Sequence, residues 1–133
     1  MILIICNTKQ KNPNIEIVGA DPYGSILGGG DDIHPYKVEG IGYDFFPDVL
    51  DNSLVDKYIK VNDENSFDMA RQLIKKEGLL CGGSSGTVVW AALQTAQKLK
   101  QGQNCLCILA DGIRNYMSKF VADEWMEKNN FKK

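Results

Sequence analysis

The sequence predicts an α/β fold: part of a three-layer, doubly wound architecture with a mainly parallel sheet and flanking helices. Two observations carry that prediction. Apolar or β-branched runs near residues 15–22, 53–61 and 105–110 alternate with amphipathic stretches near 63–77 and 87–99, the pattern of parallel strands joined by helical crossovers. Two apolar runs also end in glycine-bearing turns, Gly82-Gly83-Ser84 and Ala110-Asp111-Gly112. These turns fall at the carboxyl ends of predicted strands, where sheets of this class bind ligands.

At 133 residues the chain amounts to one domain. Its 15 basic and 17 acidic residues give a net charge of −2 without a basic block, which argues against nucleic acid as a partner. One histidine, His34, argues against a histidine-based metal site, so no metal is expected. Cys6, Cys81, Cys105 and Cys107 form no CxxC pair; buried free thiols in a reducing compartment are expected. The apolar start, Met1-Ile2-Leu3-Ile4-Ile5-Cys6, is too short for a membrane helix and lacks the flanks of a signal peptide. It reads as a strand or an irregular start, and a cytosolic chain with no membrane partner is expected.

The run from Ile15 to Val18 closing on Gly19-Ala20-Asp21-Pro22 predicts a strand ending in a turn. Asp21 is open to two readings, a ribose-holding acid or turn chemistry. The Gly- and Asp-rich stretch 23–35 includes Gly28-Gly29-Gly30 but has neither the spacing of a dinucleotide fingerprint nor a following helix, and reads as a surface loop. In Val38-Glu39-Gly40-Ile41-Gly42-Tyr43-Asp44, two glycines flank an apolar residue ahead of a tyrosine. Such a loop could bring backbone N–H groups to a ligand under a closing ring, or be a turn with a packed Tyr43. Residues 53–61 alternate as a strand. Asn62 or Asp63 then caps a helix whose Phe67, Ala70, Leu73 and Ile74 share one face, with Lys75 and Lys76 in its last turn and Gly78 ending it.

Next come a short apolar run read as a buried strand, the turn Gly82-Gly83, and a helix opening at Ser84-Ser85-Gly86. Glycines allow the sharp turn and close approach of a ligand, and the unpaired N–H groups of a first helical turn favour an acceptor. Ser84 either caps the helix or addresses a ligand. Val89, Ala92, Leu93, Ala96 and Leu99 supply the predicted buried face. The continuous apolar run 105–110 reads as a strand buried on both sides, and a last helix follows with Met117, Val121 and Trp125 on one side.

Three motifs then carry a resemblance: Val38 to Phe45, Glu77 to Gly86, and Ile108-Leu109-Ala110-Asp111-Gly112-Ile113-Arg114-Asn115-Tyr116-Met117, in this order and at suitable spacing. Together they resemble the C-terminal part of the catalytic core of cystathionine β-synthase, a fold-type II family using pyridoxal phosphate. The sister family, cysteine synthase, shares the glycine signals but usually lacks the Tyr-Asp and Arg-Asn-Tyr-Met continuations. By this resemblance, Ser84 hydrogen-bonds the pyridine nitrogen of the cofactor, with Gly83 and Asp111 beside it. Gly40, Ile41, Gly42 and Tyr43 line the substrate entrance, and Arg114 and Lys119 are structural.

The implied reaction is β-replacement: the serine hydroxyl gives way to homocysteine, yielding cystathionine and water, and cysteine in place of serine releases hydrogen sulfide. These amino acids are the implied small-molecule partners. Residues 1–14 match poorly and form an atypical N-terminal segment; residues 15–133 form a single α/β unit. Ala110 stands where the family usually has proline. The family's Schiff-base lysine, its Gly/Thr-rich phosphate loop and its ring-contacting asparagine are not recognisable here, so no catalytic residue is assigned in this chain. No haem is expected in this segment. The resemblance therefore implies a piece of a lyase — a truncated product, a partial gene model or part of a split protein — inactive by itself and prone to associate through an uncovered sheet edge. The competing readings are a piece of the cysteine synthase family and a non-catalytic protein binding a full-length relative. A free-standing dinucleotide-binding domain is weak without its glycine fingerprint.

Overall fold

Asn62 sets the start of the central helix. Its side chain accepts from the Asn65 amide at 2.8 Å, Asp63 and Glu64 occupy the first turn, and Lys75 and Lys76 the last. Gly78, at φ 66°, closes the helix in the left-handed conformation with its N–H on the Leu73 carbonyl. This helix, Asp63–Glu77, is α2 in a computed structural model that describes residues 2–131, with side chains from residue 7 onward. Before it lie α1 (Ile2–Lys11), β1 (Val18–Pro22) and β2 (Lys57–Val61); after it come α3 (Gly83–Ala96) and α4 (Asp123–Lys128).

β1 and β2 pair in parallel from Val18 opposite Lys57 to Pro22 opposite Val61. The fold is thus α/β, with a parallel sheet and helices against it. α3 returns beside α2 and also touches both strands. The core lies between α2 and the C-terminal residues: Phe67, Ala70, Val38, Tyr116, Phe120 and Met126 are buried together, with Tyr36, Ile41, Val121 and Trp125 packed around them. Phe67 stacks on Phe120 at 5.4 Å and meets Trp125 edge-on at 5.3 Å. Arg71 fastens α2 to the C-terminal turn by donating to the carbonyls of Phe120 (3.0 Å) and Val121 (3.3 Å) and pairing with Asp123.

Several expectations require correction. Residues 2–11 form helix α1 rather than a strand; no described strand runs beside them, and a helix satisfies its backbone internally. Cys6 lies outside the described side chains. The stretch before Gly82 is no buried strand: Leu79 and Leu80 are exposed, and Cys81 makes only an isolated antiparallel bridge to Gly112. Residues 105–110 form no strand either, and Leu106 is 89% exposed. Their apolar character suits a central strand, but no described strand pairs with them. The thiols follow suit, with Cys81 buried, Cys107 half-buried and Cys105 exposed.

The apolar face expected for α3 is also misplaced. Leu93 and Leu99 are exposed, while Gly83, Ser84, Ser85, Gly86, Thr87 and Ala91 are buried. Close approach of α2 selects small and hydroxylated residues there. Thr87 donates to Ser66 across the interface at 2.8 Å. The last helix is broken into a 3-10 turn (Ile113–Tyr116) and the short α4, because Ala122 is extended (φ −83°, ψ 130°); Met117 consequently faces outward.

Candidate cofactor-side site

The first turn of α3 starts at Gly82, which is extended (φ −79°, ψ 171°) and offers no side chain to cap the helix. Ser84 and Ser85 therefore lie inside the helix, in its first turn, instead of capping it. Ser84 is 6% exposed. The Ser85 Oγ is buried with no hydrogen-bond partner among the described residues. Burial raises the pKa of the Cys81 thiol, and the Ser85 hydroxyl opposes that rise in part. Uncapped N–H groups and hydroxyl donors gather at one helix end.

Asp111 comes to this helix end. Its carbonyl accepts from the Gly82 N–H at 3.1 Å, and the Ile113 N–H donates to the Leu80 carbonyl at 3.0 Å, completing the bridge between the two turns. The Asp111 carboxylate packs so closely on Gly82 that any Cβ there would collide with it. Tyr116 donates to this carboxylate at 2.6 Å. That hydrogen bond, helped by burial and by the charges of Asp111 and Glu39, pushes the Tyr116 hydroxyl pKa up to about 12. Sequence reasoning quoted Tyr116 within a motif but gave it no role; an acid followed five positions later by a tyrosine across a 3-10 turn was the available signal.

Gly83 packs between Phe67 and Phe120. Beside it Lys37, Glu39, Tyr116 and Lys119 enclose a cavity of only about 10 Å³, water-sized at most. Lys119 donates to Glu39 at 2.5 Å and lies 5.8 Å from the Tyr116 ring centroid. Its structural reading is consistent with these contacts, and Arg114 is exposed.

The Gly40–Tyr43 stretch is held elsewhere. Gly40 and Gly42 have φ values of 79° and 75°, favourable only to glycine. The Ile41 carbonyl accepts from the Tyr36 hydroxyl at 3.1 Å, and the Tyr43 N–H donates to the Ser25 Oγ at 3.0 Å. The Tyr43 ring is 49% exposed and leans on Phe45 at 5.0 Å. Asp111 is thus brought against Gly82, at the turn that leads into Gly83 and Ser84, whereas Tyr43 makes its contacts with Ser25, Ile26 and Phe45.

The donor set at α3 suits an acceptor such as a ring nitrogen. It does not supply the amine that the whole of pyridoxal phosphate needs, because Lys119, the lysine beside Tyr116, is engaged by Glu39. The described residues fit one edge of the cofactor.

This chain belongs to the pyridoxal-phosphate dependent enzyme family, whose model matches residues 4–111. Its similarity is to cystathionine β-synthases in particular. It is 54% identical over 127 residues to the enzyme of that name from Dictyostelium discoideum, covering 92% of this chain and 26% of that one. The Rattus norvegicus cystathionine beta-synthase is 52% identical over 130 residues, with coverages of 94% and 23%. The crystal structure of O-acetylserine dependent cystathionine beta-synthase from Helicobacter pylori superposes with a TM-score of 0.82 at 40% identity, over 89% of this chain and 38% of that one. The chain thus spans about a quarter of the length of these curated relatives.

Proposed function

We propose that this chain forms the ring-nitrogen side and the substrate loop of a pyridoxal phosphate site for β-replacement, in the manner of cystathionine β-synthase, and that it is inactive by itself. The observation that carries this reading is the buried Ser84 at an uncapped helix start, with Asp111 fixed beside it.

When bound, the cofactor supplies the electron sink for loss of the serine hydroxyl and entry of the homocysteine sulfur. Ser84 would donate its hydroxyl proton to the ring nitrogen. A neutral alcohol leaves that nitrogen without a proton, which restrains the sink and favours replacement over transamination. Gly83 permits close approach of the ring, since it carries no Cβ. Asp111, held by Tyr116, keeps the ring-side loop against Gly82. Gly40, Ile41, Gly42 and Tyr43 would form the entrance for serine, cysteine and homocysteine, with the exposed Tyr43 ring free to close over the bound amino acid.

Inactivity follows from chemistry. Covalent catalysis needs a lysine amine in reach, and the phosphate needs its own donors; neither motif is recognisable in this sequence. A cytosolic setting suits the free thiols.

Mixing the chain with pyridoxal phosphate should produce neither a Schiff-base absorbance band nor cystathionine from serine and homocysteine. Joining it to the preceding part of the Dictyostelium relative's core should produce both, and Ser84→Ala in that joined protein should shift the band and cut the rate at least tenfold. Activity of the chain alone, or an inert joined protein that folds and binds the cofactor, would overturn the proposal.

The exposed Leu79, Leu80 and Leu106 favour a second reading, a non-catalytic protein docking on a longer relative. Capture of that relative with the chain's own solution behaviour unchanged by cofactor would support it.

A further inference from the structure

Ser25 lies outside every motif that carries the family resemblance, yet its hydroxyl accepts two backbone hydrogen bonds, one of them from the Gly40–Tyr43 loop. It is 3% exposed. Its Oγ accepts from the Tyr43 N–H at 3.0 Å and from the Leu27 N–H at 3.3 Å. The neighbouring Ile26 N–H donates to the Tyr43 carbonyl at 2.9 Å. Both backbone groups of Tyr43 are therefore gripped by two adjacent residues, while its ring remains half in solvent.

The grip is fixed from beneath. The Ser25 carbonyl accepts from the Lys60 ammonium on β2. That ammonium also donates to the buried Asp21 carboxylate, at the end of β1, at 2.6 Å. The Gly28 N–H donates to the same Asp21 oxygen at 2.9 Å. An ion pair between the buried Asp21 and the half-buried Lys60 joins the ends of both strands and thus sets the position of Ser25 relative to the sheet. Losing Lys60 would leave the buried Asp21 carboxylate without its counter-charge, which favours keeping this geometry. On the other side Gly42 is wedged so tightly that a Cβ there would stand 2.5 Å from the Tyr36 hydroxyl, 2.6 Å from the Pro22 ring and 2.9 Å from the Ser25 Cβ.

We propose that Ser25 is a positioning residue for the substrate loop: its hydroxyl pins the Tyr43 backbone to the sheet, leaving the aromatic ring as the moving part. The Asp21–Lys60 pair transmits the position of the strand ends to that pin. The inference rests on the reading of Gly40–Tyr43 as the substrate entrance only for its functional consequence; the pin itself is a property of this chain.

Amide hydrogen exchange on the chain tests the pin directly. Ser25→Ala should accelerate exchange of the Tyr43 amide by roughly five- to tenfold, the loss expected for one hydrogen bond, while the strand amides of Ala20 and Ile59 keep their rates. Ser25→Cys fills the same space with a poor acceptor and should give the same localised result should the alanine variant fold badly. Unchanged Tyr43 exchange in either folded variant, or a parallel rise in the strand amides, overturns the pin. In the joined protein described above, Ser25→Ala should raise KM for serine about fivefold and leave kcat within about twofold; a fall in kcat at constant KM overturns the positioning role. A joined parent protein without activity would instead defeat the functional reading, and the exchange result would then decide Ser25 by itself.

Discussion

Asp111 serves two neighbours at once. One of its oxygens packs on Gly82 and the other receives the Tyr116 hydroxyl, so a single carboxylate closes the start of α3 and anchors the C-terminal turn. The linkage gives this contact a pH signature. In the unfolded chain Tyr116 ionises near 10, but in the fold it holds its proton up to about 12. Across that window the folded state binds more protons, so stability falls as pH rises from 10 to 12, and the full contribution is present below 10. Tyr116→Phe should lower stability by about 1 kcal/mol at pH 8. The gap between parent and variant should narrow from pH 10 to 12, as thermal unfolding across the series would show; a constant gap would refute the assignment. Local geometry written into the pattern, such as the glycine turn that opens α3 ahead of Ser84, was legible in the sequence. Tyr116 and Ser25 were not, because their partners are set by which turns and strand ends the fold brings together.

α2 and α3 show what element-level reading can and cannot deliver. Capping chemistry left Asn62 or Asp63 as the cap of α2, and Asn62 takes it; Gly78 ends the helix as expected, and of the expected face Phe67, Ala70 and Leu73 are buried and Ile74 half-buried. α3 defied the same method because its partner surface is unusually close. A Cβ at Gly86 would run into the Ser66 carbonyl oxygen and lie 2.7 Å from the Ala70 nitrogen, both backbone atoms of α2. Hydrophobicity marks apolar residues; it does not reveal that the tight side of a helix must be built from Gly, Ser, Thr and Ala. Gly86→Ala gains helix propensity but must push the two helices apart, so a net loss of roughly 1–3 kcal/mol is expected. Denaturant melts that show Gly86→Ala as stable as the parent would contradict the packing described.

For the molecule as a whole, the described sheet has two strands, each with an open edge, and Leu79, Leu80, Leu106 and Ile108 expose apolar surface. No helix among the described residues is long and apolar enough to cross a membrane. The run 105–110 is composed as a central strand yet has no described strand to pair with, which is why composition alone read it as buried. Unpaired edges and exposed apolar side chains favour association. Sedimentation over a concentration series should show the chain passing from monomer to larger species, with Leu106→Lys moving the transition to higher concentration. A monomer throughout would argue that the apolar surface is covered within the chain.

The parallel pairing of β1 with β2 has a further consequence. Parallel neighbours cannot be joined by a tight hairpin, and here all of residues 23–56 intervene with only one short 3-10 turn among them. Bringing the strands together therefore closes a long, mostly irregular loop at an entropic cost that local contacts do not offset along the way. α2 and α3 adjoin across a brief link and need no such closure. On entropic grounds the helical pair is thus the natural nucleus for folding, with the strands docking onto it afterwards.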